Sequence, residues 1–220
     1  NESKNLVWLE KFVREYNIKN PIYPMNESQF ETCKLVCKEH RMFNIQGFAG
    51  VGKTTTGIAF MYDLHKTMHP ERKIVGLAVQ NTTSKALTEG GFQNNECFNT
   101  TSFLLKSRDR EGNINPKFIN ENANALWVIY EASMVSAEQA NELLKLAREC
   151  NASIACVGAT EQILAVGAGQ FINQVRATLR EDQQTEMSVV VRQRTEEQRN
   201  VANYFRSGEP DKAIEILKNL

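Results

Sequence analysis

Short apolar runs separated by amphipathic stretches are the most regular feature of this chain. These runs are apolar at most positions instead of alternating, which is typical of strands that are buried on both faces of a sheet. Because they alternate with helical patterns, they predict an α/β fold with a parallel sheet and helices on both faces. The predicted strands are RMFNIQG (41–47), KIVGLAV (73–79), ALWVIY (125–130), ASIACVG (152–158) and TEMSVVVRQ (185–193).

The segments between these strands carry the period and the end signals of helices. Asn26 is placed as the N-cap, and Gln29 as the reciprocal capping-box residue, of a helix that runs to about His40. The stretch 97–105 predicts a short strand followed by a helix start, and 108–116 a polar loop. The other predicted helices span residues 5–16, 52–68, 82–89, 136–150, 195–208 and 210–220.

The net charge and the amino-acid composition of the chain exclude several classes of protein. The 26 basic and 26 acidic residues balance, so the chain as a whole shows no electrostatic attraction to nucleic acid. The longest apolar run, ALWVIY, is far shorter than the roughly 18 residues of a membrane span, so no membrane partner is expected. The five cysteines have no repeated spacing and are interpreted as free thiols in a reducing compartment, the cytoplasm. The chain does not begin with Met, which favours a domain cut from a longer chain.

GFAGVGKT, residues 47–54, fits the phosphate-loop pattern G-x-x-x-x-G-K-[ST] at every fixed position. A predicted strand precedes it and a predicted helix follows it, as phosphate binding requires. Its three glycines let the backbone turn N–H groups onto phosphate oxygens, and the helix N-terminus favours the anion. Lys53 is predicted to contact the β- and γ-phosphates of ATP, and Thr54 to ligate Mg²⁺. The alternative, a glycine-rich turn with an incidental lysine, is disfavoured by this context.

Four segments, GFAGVGKTT, EASMVS, EQILAVGAG and VVRQR, resemble in order and spacing the RecD-like superfamily 1 DNA helicases. The resemblance is greatest to the helicase part of TraI-type conjugative relaxases and runs from about Gln29 to Arg194. It implies a P-loop NTPase with a RecA-like parallel sheet in residues 26–194, after an N-terminal helix and connector in 1–25. Residues 195–220 would then be helices leading to a second RecA-like domain, a partner that this chain lacks. Single-stranded DNA is the other implied partner.

The resemblance also implies roles for individual residues. Glu131 corresponds to the general base that orients the attacking water, and Gln162 to the sensor of the γ-phosphate. Arg192 corresponds to an arginine that stabilises charge on that phosphate, with Arg194 as the alternative. Gln29 corresponds to the glutamine that reads adenine, and this role is compatible with its capping-box role. The remaining implied ATP contacts belong to the phosphate loop: Gly47, Ala49, Gly50, Val51, Gly52, Lys53, Thr54 and Thr55.

The chain departs from the family pattern around the metal and the hydrolysis site. Tyr130 stands where the family has the aspartate that holds Mg²⁺ through water, and a phenol with a pKa of about 10 replaces it poorly. In GATEQIL, Ala159 and Leu164 replace an aspartate and a proline. Residues 78–80 read Ala-Val-Gln in place of Ala-Pro-Thr at a strand exit that touches DNA in the family. We therefore expect ATP binding to survive better than hydrolysis.

The segment NTTSFLLKSR, residues 99–108, matches a family segment near the DNA backbone. Thr101 and Ser102 are candidate donors to phosphate, and Phe103 is a candidate for stacking on a base. The alternative is that this phenylalanine and the two leucines after it pack under the sheet.

Two functions follow from these patterns. The first is the ATP-binding motor domain of a RecD/TraI-like DNA helicase that acts on single-stranded DNA in conjugation or repair. The second is a catalytically inactive helicase-like module that binds single-stranded DNA or a partner protein as a scaffold. An unrelated P-loop NTPase is a third interpretation, and it leaves EASMVS unexplained.

Overall fold

The structure, a computed structural model, describes residues 2–21, 24–47, 58–158, 170–187, 200–201, 204 and 209–218. The strands in these ranges are β1 (Met42–Gly47), β2 (Ile74–Ala78), β3 (Cys97–Asn99), β4 (Leu126–Tyr130), β5 (Ser153–Gly158) and β6 (Gln184–Met187). The helices are α1 (Glu2–Lys19), α2 (Glu27–Cys37), α3 (Ala59–Met68), α4 (Asn81–Glu89), α5 (Thr100–Lys106), α6 (Pro116–Glu121), α7 (Ala137–Glu149), α8 (Gln170–Thr178) and α9 (Pro210–Lys218).

The six strands form one sheet in the order β3-β2-β4-β5-β1-β6. Every pairing in it is parallel. All positions of β2 and β4 are buried, as their uninterrupted apolar sequences predict for strands covered on both faces. The predicted α/β fold with a RecA-like parallel sheet is therefore confirmed.

The side chains of the sheet divide between two apolar cores, one on each face. On one face Val128 and Tyr130 pack with side chains of α1, α2 and α3. On the other face Trp127 and Ile129 pack with side chains of α5, α6, α7 and α8. Strand residues alternate between the two cores because successive side chains of a strand point to opposite faces. The prediction of helices on both faces is confirmed.

Local side-chain chemistry fixes where several helices begin. The Asn26 side chain accepts from the Gln29 backbone N–H at 3.0 Å, and the Gln29 side chain accepts from the Asn26 N–H at 2.9 Å. This reciprocal pair confirms the predicted capping box of α2. Ser136 caps α7 by accepting from Gln139, so this helix begins where the sequence predicts.

Two helices of the structure were not predicted from the sequence, and a third is longer than predicted. α6 lies just after the predicted polar loop, and its start was signalled by Asn115 as the cap and Pro116 in the first turn. α8 was also missed. α1 runs from Glu2 to Lys19, beyond the predicted 5–16, and docks on the core through Leu9, which is 1% exposed.

Several predictions fall wholly or partly outside the described residues. The predicted helix 52–68 is described from Ala59, and the predicted strand 185–193 as far as Met187. Most of the predicted helix 195–208 also lies outside. No helix in the described ranges is long and apolar enough to cross a membrane. All five cysteines are free, and four of them are buried.

Candidate functional site

The sheet order brings the phosphate-loop strand and the candidate base to the same edge. β1 ends at Gly47, where the loop begins, and β4 ends immediately before Glu131. β5 lies between these two strands, with Gln46 paired to Gly158 and Tyr130 to Val157. Two strand spacings separate β1 from β4 by about 10 Å. A γ-phosphate and one water fit in that distance, so the position of Glu131 is compatible with an ATP site.

Glu131 has an unusual backbone conformation. Its φ of 53° and ψ of 52° are left-handed, and its side chain is buried, with 8% of the residue exposed. Its carbonyl accepts from the Met134 N–H at 2.9 Å and closes a single turn of 3₁₀ helix, residues 132–134. Left-handed conformations of residues other than glycine cost on the order of 1 kcal/mol or more and cluster at functional sites. The turn therefore fixes this carboxylate at the carboxyl edge of the sheet.

Gly158, the last residue of β5, leaves space for this turn. A Cβ at Gly158 would lie 3.1 Å from the Ala132 backbone nitrogen and 3.4 Å from the Glu131 Cα. Both neighbours are backbone atoms, which cannot rotate away as a side chain can. The absence of a side chain at Gly158 thus permits the conformation of Glu131.

Tyr130 lies on the face of the sheet that α3 covers. It is 7% exposed and belongs to the same apolar core as Val128 and Val157. α3 follows the phosphate-loop motif in the chain, and position 130 is where the family pattern has a carboxylate. An aromatic ring packed in a core supplies no carboxylate oxygen to a metal.

Gln29 occupies a buried position in the first turn of α2, with 3% exposure. Its Oε1 accepts from the Asn26 N–H, but an amide oxygen has two lone pairs, so a second contact is chemically available. The capping role is confirmed, and the adenine-reading role stays a prediction.

Much of the predicted ATP site lies outside the described residues. This applies to Ala49, Gly50, Val51, Gly52, Lys53, Thr54 and Thr55 of the phosphate loop, and also to Ala159, Gln162, Leu164, Arg192 and Arg194. Their roles stay predictions. Among the residues that the structure does describe, no cluster of three or more His, Cys, Asp or Glu is arranged to hold a metal.

The predicted DNA segment forms the first turns of α5, after β3. Thr101 is exposed, and its hydroxyl accepts from the Gln139 side chain at 3.0 Å. The Ser102 hydroxyl donates to the Asn99 carbonyl at 2.8 Å. Thr101 lies at the surface at the carboxyl end of β3, and Ser102 beside it is partly buried. Their phosphate contacts stay predictions.

Phe103 lies in the core and not at the surface. It is 2% exposed, and its ring packs edge-on against Phe118 and Trp127, each with ring centroids at 5.1 Å. A ring in this position has no exposed face for a base, so the packing interpretation describes Phe103 in this structure. That interpretation was wrong for Leu105, which is 69% exposed.

Asn99 is a structural residue of this segment that sequence reasoning missed. Its Oδ1 accepts from the Thr101 and Ser102 N–H groups, and its Nδ2 donates to the Val79 carbonyl at 2.7 Å. Asn99 therefore caps α5 and ties it to the exit of β2. An asparagine before Thr-Thr-Ser was the available cap signal.

A parallel sheet with a phosphate-loop motif at its carboxyl edge, and an acid two strands away, defines a P-loop NTPase of the RecA-like type. The sequence model of the AAA domain family matches residues 24–220, and the chain belongs to that family. No curated protein sequence matches the chain.

Solved structures with a similar fold include three of Pif1. Pif1 from Bacteroides sp in complex with ADP-AlF4 matches with a TM-score of 0.55 at 16% identity, and unliganded Bacteroides sp Pif1 with 0.51 at 15%. Pif1 helicase from Candida albicans matches with 0.58 at 16%. Each match covers 84% of this chain but only 44–46% of the Pif1 chain, so this chain spans less than half of their length. These matches establish a shared fold.

Proposed function

We propose that the chain is the ATP-binding motor domain of a superfamily 1 DNA helicase of the RecD/TraI type. The observation that carries this proposal is the left-handed, buried Glu131, held two strands from the β1 exit into GFAGVGKT. A general base must lie within about one water of the γ-phosphate, and the separation of about 10 Å between β1 and β4 supports this role for Glu131. The Pif1 fold and the ADP-AlF4 bound to Bacteroides sp Pif1 support the same class of site.

The proposed role of each site residue is the one that the sequence analysis predicts. Lys53 binds the terminal phosphates, and Glu131 accepts a hydrogen bond from the attacking water and orients it. Gln162 and Arg192 contact the γ-phosphate. Mg²⁺ held by Thr54 would offset charge on the β- and γ-phosphates. Gln29 contacts adenine through the free lone pair of its amide oxygen.

Single-stranded DNA is the proposed substrate, contacted through Thr101 and Ser102 at the carboxyl end of β3. The Thr101 hydroxyl accepts from Gln139, so its own hydrogen is available to a phosphate oxygen, whereas the Ser102 hydroxyl would exchange the Asn99 carbonyl for one. The second RecA-like domain is a proposed partner, since the chain corresponds to less than half of each Pif1 structure. DNA transfer or repair is the proposed process.

A second function, a helicase-like scaffold without hydrolysis, is favoured by Tyr130. A buried tyrosine on the face that α3 covers does not replace an aspartate that holds Mg²⁺. On this view the domain keeps the fold and the nucleotide and binds single-stranded DNA or a partner protein.

Hydrolysis with and without an oligo-dT strand tests both functions. As a motor domain, the chain is expected to show slow turnover that oligo-dT accelerates, and Glu131→Gln should lower it by roughly 100-fold. As a scaffold, the chain shows none, and Tyr130→Asp/Ala159→Asp should create it. Turnover that neither DNA nor Glu131→Gln alters would contradict the motor proposal. No turnover in the double variant would count against the scaffold proposal.

A further inference from the structure

A cavity of about 340 Å³ lies at the β3 end of the sheet, between β3, α5 and α6. We call it the edge pocket and define it by Lys73, Phe98, Phe103, Lys106, Lys117 and Phe118, which line it. Lys73 precedes β2 and Asn122 follows α6, so the pocket reaches the amino-terminal end of the strands. Glu131 and Gly47, the first residue of the phosphate-loop motif, lie at the opposite, carboxyl edge. The edge pocket therefore does not belong to the proposed ATP site.

The rim of the edge pocket is positively charged. Lys73, Lys106 and Lys117 line it together with a single acid, Glu121. Lys117 and Glu121 approach each other at 3.8 Å, but both side chains are mostly exposed, which makes this ion pair weak. The excess of basic groups favours an anionic ligand.

The floor of the edge pocket is aromatic but offers few ring faces. Phe103 and Phe118 are 2% and 7% exposed and pack edge-on against each other. The Lys106 Nζ lies 4.6 Å from the centre of the Phe98 ring, so a face of that ring already holds a cation. Stacking of a nucleobase needs an open ring face. An apolar side chain, which packs against ring edges, fits this floor better.

Asn122 supplies a buried polar group at this pocket. It is 1% exposed, and its Nδ2 donates to the Phe118 carbonyl at 2.9 Å. Within the described part of the chain its Oδ1 has no hydrogen-bond partner. A buried amide oxygen without a donor costs about 1–3 kcal/mol. A ligand N–H at this point would satisfy it.

We propose that the edge pocket binds a short acidic segment of a partner protein that carries an apolar anchor residue. The carboxylates of the segment pair with Lys73, Lys106 and Lys117, and the anchor packs against the phenylalanine edges. A backbone N–H of the segment donates to Asn122 Oδ1. The cavity volume is at the small end of ligand pockets, which suits one or two anchoring side chains. This proposal is independent of ATP hydrolysis.

Fluorescence anisotropy with two labelled probes and one unlabelled competitor tests the proposal on the whole chain. The first probe is the peptide EEDLFDEE, the second its apolar-free counterpart EEDSSDEE, and the competitor is the oligonucleotide dT8. We expect EEDLFDEE to bind at least about tenfold more tightly than EEDSSDEE, and unlabelled dT8 not to displace it. Lys106→Glu/Lys117→Glu should weaken the binding of EEDLFDEE by about tenfold or more. Lys11→Glu/Lys145→Glu is the control matched in charge, because both lysines are exposed and lie outside the edge pocket.

Each other outcome overturns the proposal. Equal binding of the two peptides would mean that charge alone attracts them and that the cavity is not used. Displacement of EEDLFDEE by dT8 would make the surface a nucleic-acid contact. Equal effects of the two double variants would place the peptide elsewhere. Circular dichroism spectra of both variants that match the unmodified chain show that lost binding does not come from unfolding.

Discussion

At the scale of single residues, the candidate site depends on the left-handed backbone of Glu131, which Gly158 permits. Glu131 adopts a left-handed φ of 53° although it is not glycine. Gly158 permits it, because a Cβ there would meet the Ala132 nitrogen at 3.1 Å. Gly158 in β5 thus allows the turn after β4 that positions the buried carboxylate of Glu131.

Gly158→Ala is expected to lower the free energy of unfolding by about 1–3 kcal/mol, because two backbones must separate. Gly76→Ala is the matched control: it also lies in a strand, but its Cβ would meet Leu87 Cδ1 at 2.9 Å. That contact and the one with Phe92 Cδ1 at 3.1 Å are with side-chain atoms, which can shift by a few tenths of an ångström without separating paired backbones, so the control should cost less. Urea unfolding of both variants checks this. An equal or larger loss for Gly76→Ala would contradict the account of the turn.

At the scale of elements, one asparagine connects three of them. Asn99 ends β3, caps α5 and donates to the Val79 carbonyl just after β2. The start of α5, which carries the proposed DNA contacts, is thereby fixed against the neighbouring strand exit.

Asn99→Ala should lower the free energy of unfolding by about 2 kcal/mol, since it removes a helix cap and a second hydrogen bond. Asn99→Ser keeps a capping oxygen and loses the donor to Val79. We expect this variant to keep the stabilisation that comes from the cap, so its loss in free energy of unfolding should be about half of that in Asn99→Ala. Equal stabilities of the two variants in urea would show that the cap contributes nothing.

α3 carries a buried histidine whose titration affects stability. Burial, together with the positive charges of Arg72 and His69, lowers the pKa of His65 from 6.5 to about 4. The unfolded chain therefore takes up this proton at a higher pH than the folded chain. The contribution of the neutral His65 ring to the free energy of unfolding is therefore fully present above pH 6.5. It is lost progressively as the pH falls from 6.5 to 4.

His65→Asn removes this titration and is expected to flatten the acid side of the stability profile. Between pH 7 and pH 5 the ring accounts for a loss of about 2 kcal/mol in the unmodified chain. Urea unfolding of the two proteins at both pH values measures the difference. The same loss in the variant would show that other groups cause it.

The elements differed in how well their sequences predicted them. Apolar runs identified β1, β2, β4 and β5 nearly to the residue, because buried strands of a parallel sheet carry an unbroken signal. α6 has six residues, too few to show a helical period, so only its cap could signal it. Phe103 was open to two interpretations because an aromatic residue near a helix start is compatible with both core and surface positions. Its burial is decided by Phe118 and Trp127, which are distant in sequence.

At the scale of the whole molecule, the order of the strands in the sheet brings the two ends of the candidate site together. GFAGVGKT and Glu131 lie more than seventy residues apart in the chain, and only the insertion of β5 between β1 and β4 sets their separation. The motifs name the candidate residues of the site, and most of those roles stay predictions. No local pattern predicted this separation, the left-handed turn or the role of Gly158, because each depends on pairing between distant strands.

We propose that the chain holds ATP at the carboxyl edge of its sheet through the phosphate loop. Calorimetric titration of the chain with a non-hydrolysable ATP analogue and Mg²⁺, beside Lys53→Ala, measures this binding. We predict saturable binding at one site and a dissociation constant at least about tenfold higher in Lys53→Ala. Urea unfolding should show the same stability for both proteins. No binding, or equal binding by both proteins, would show that the phosphate loop does not hold ATP.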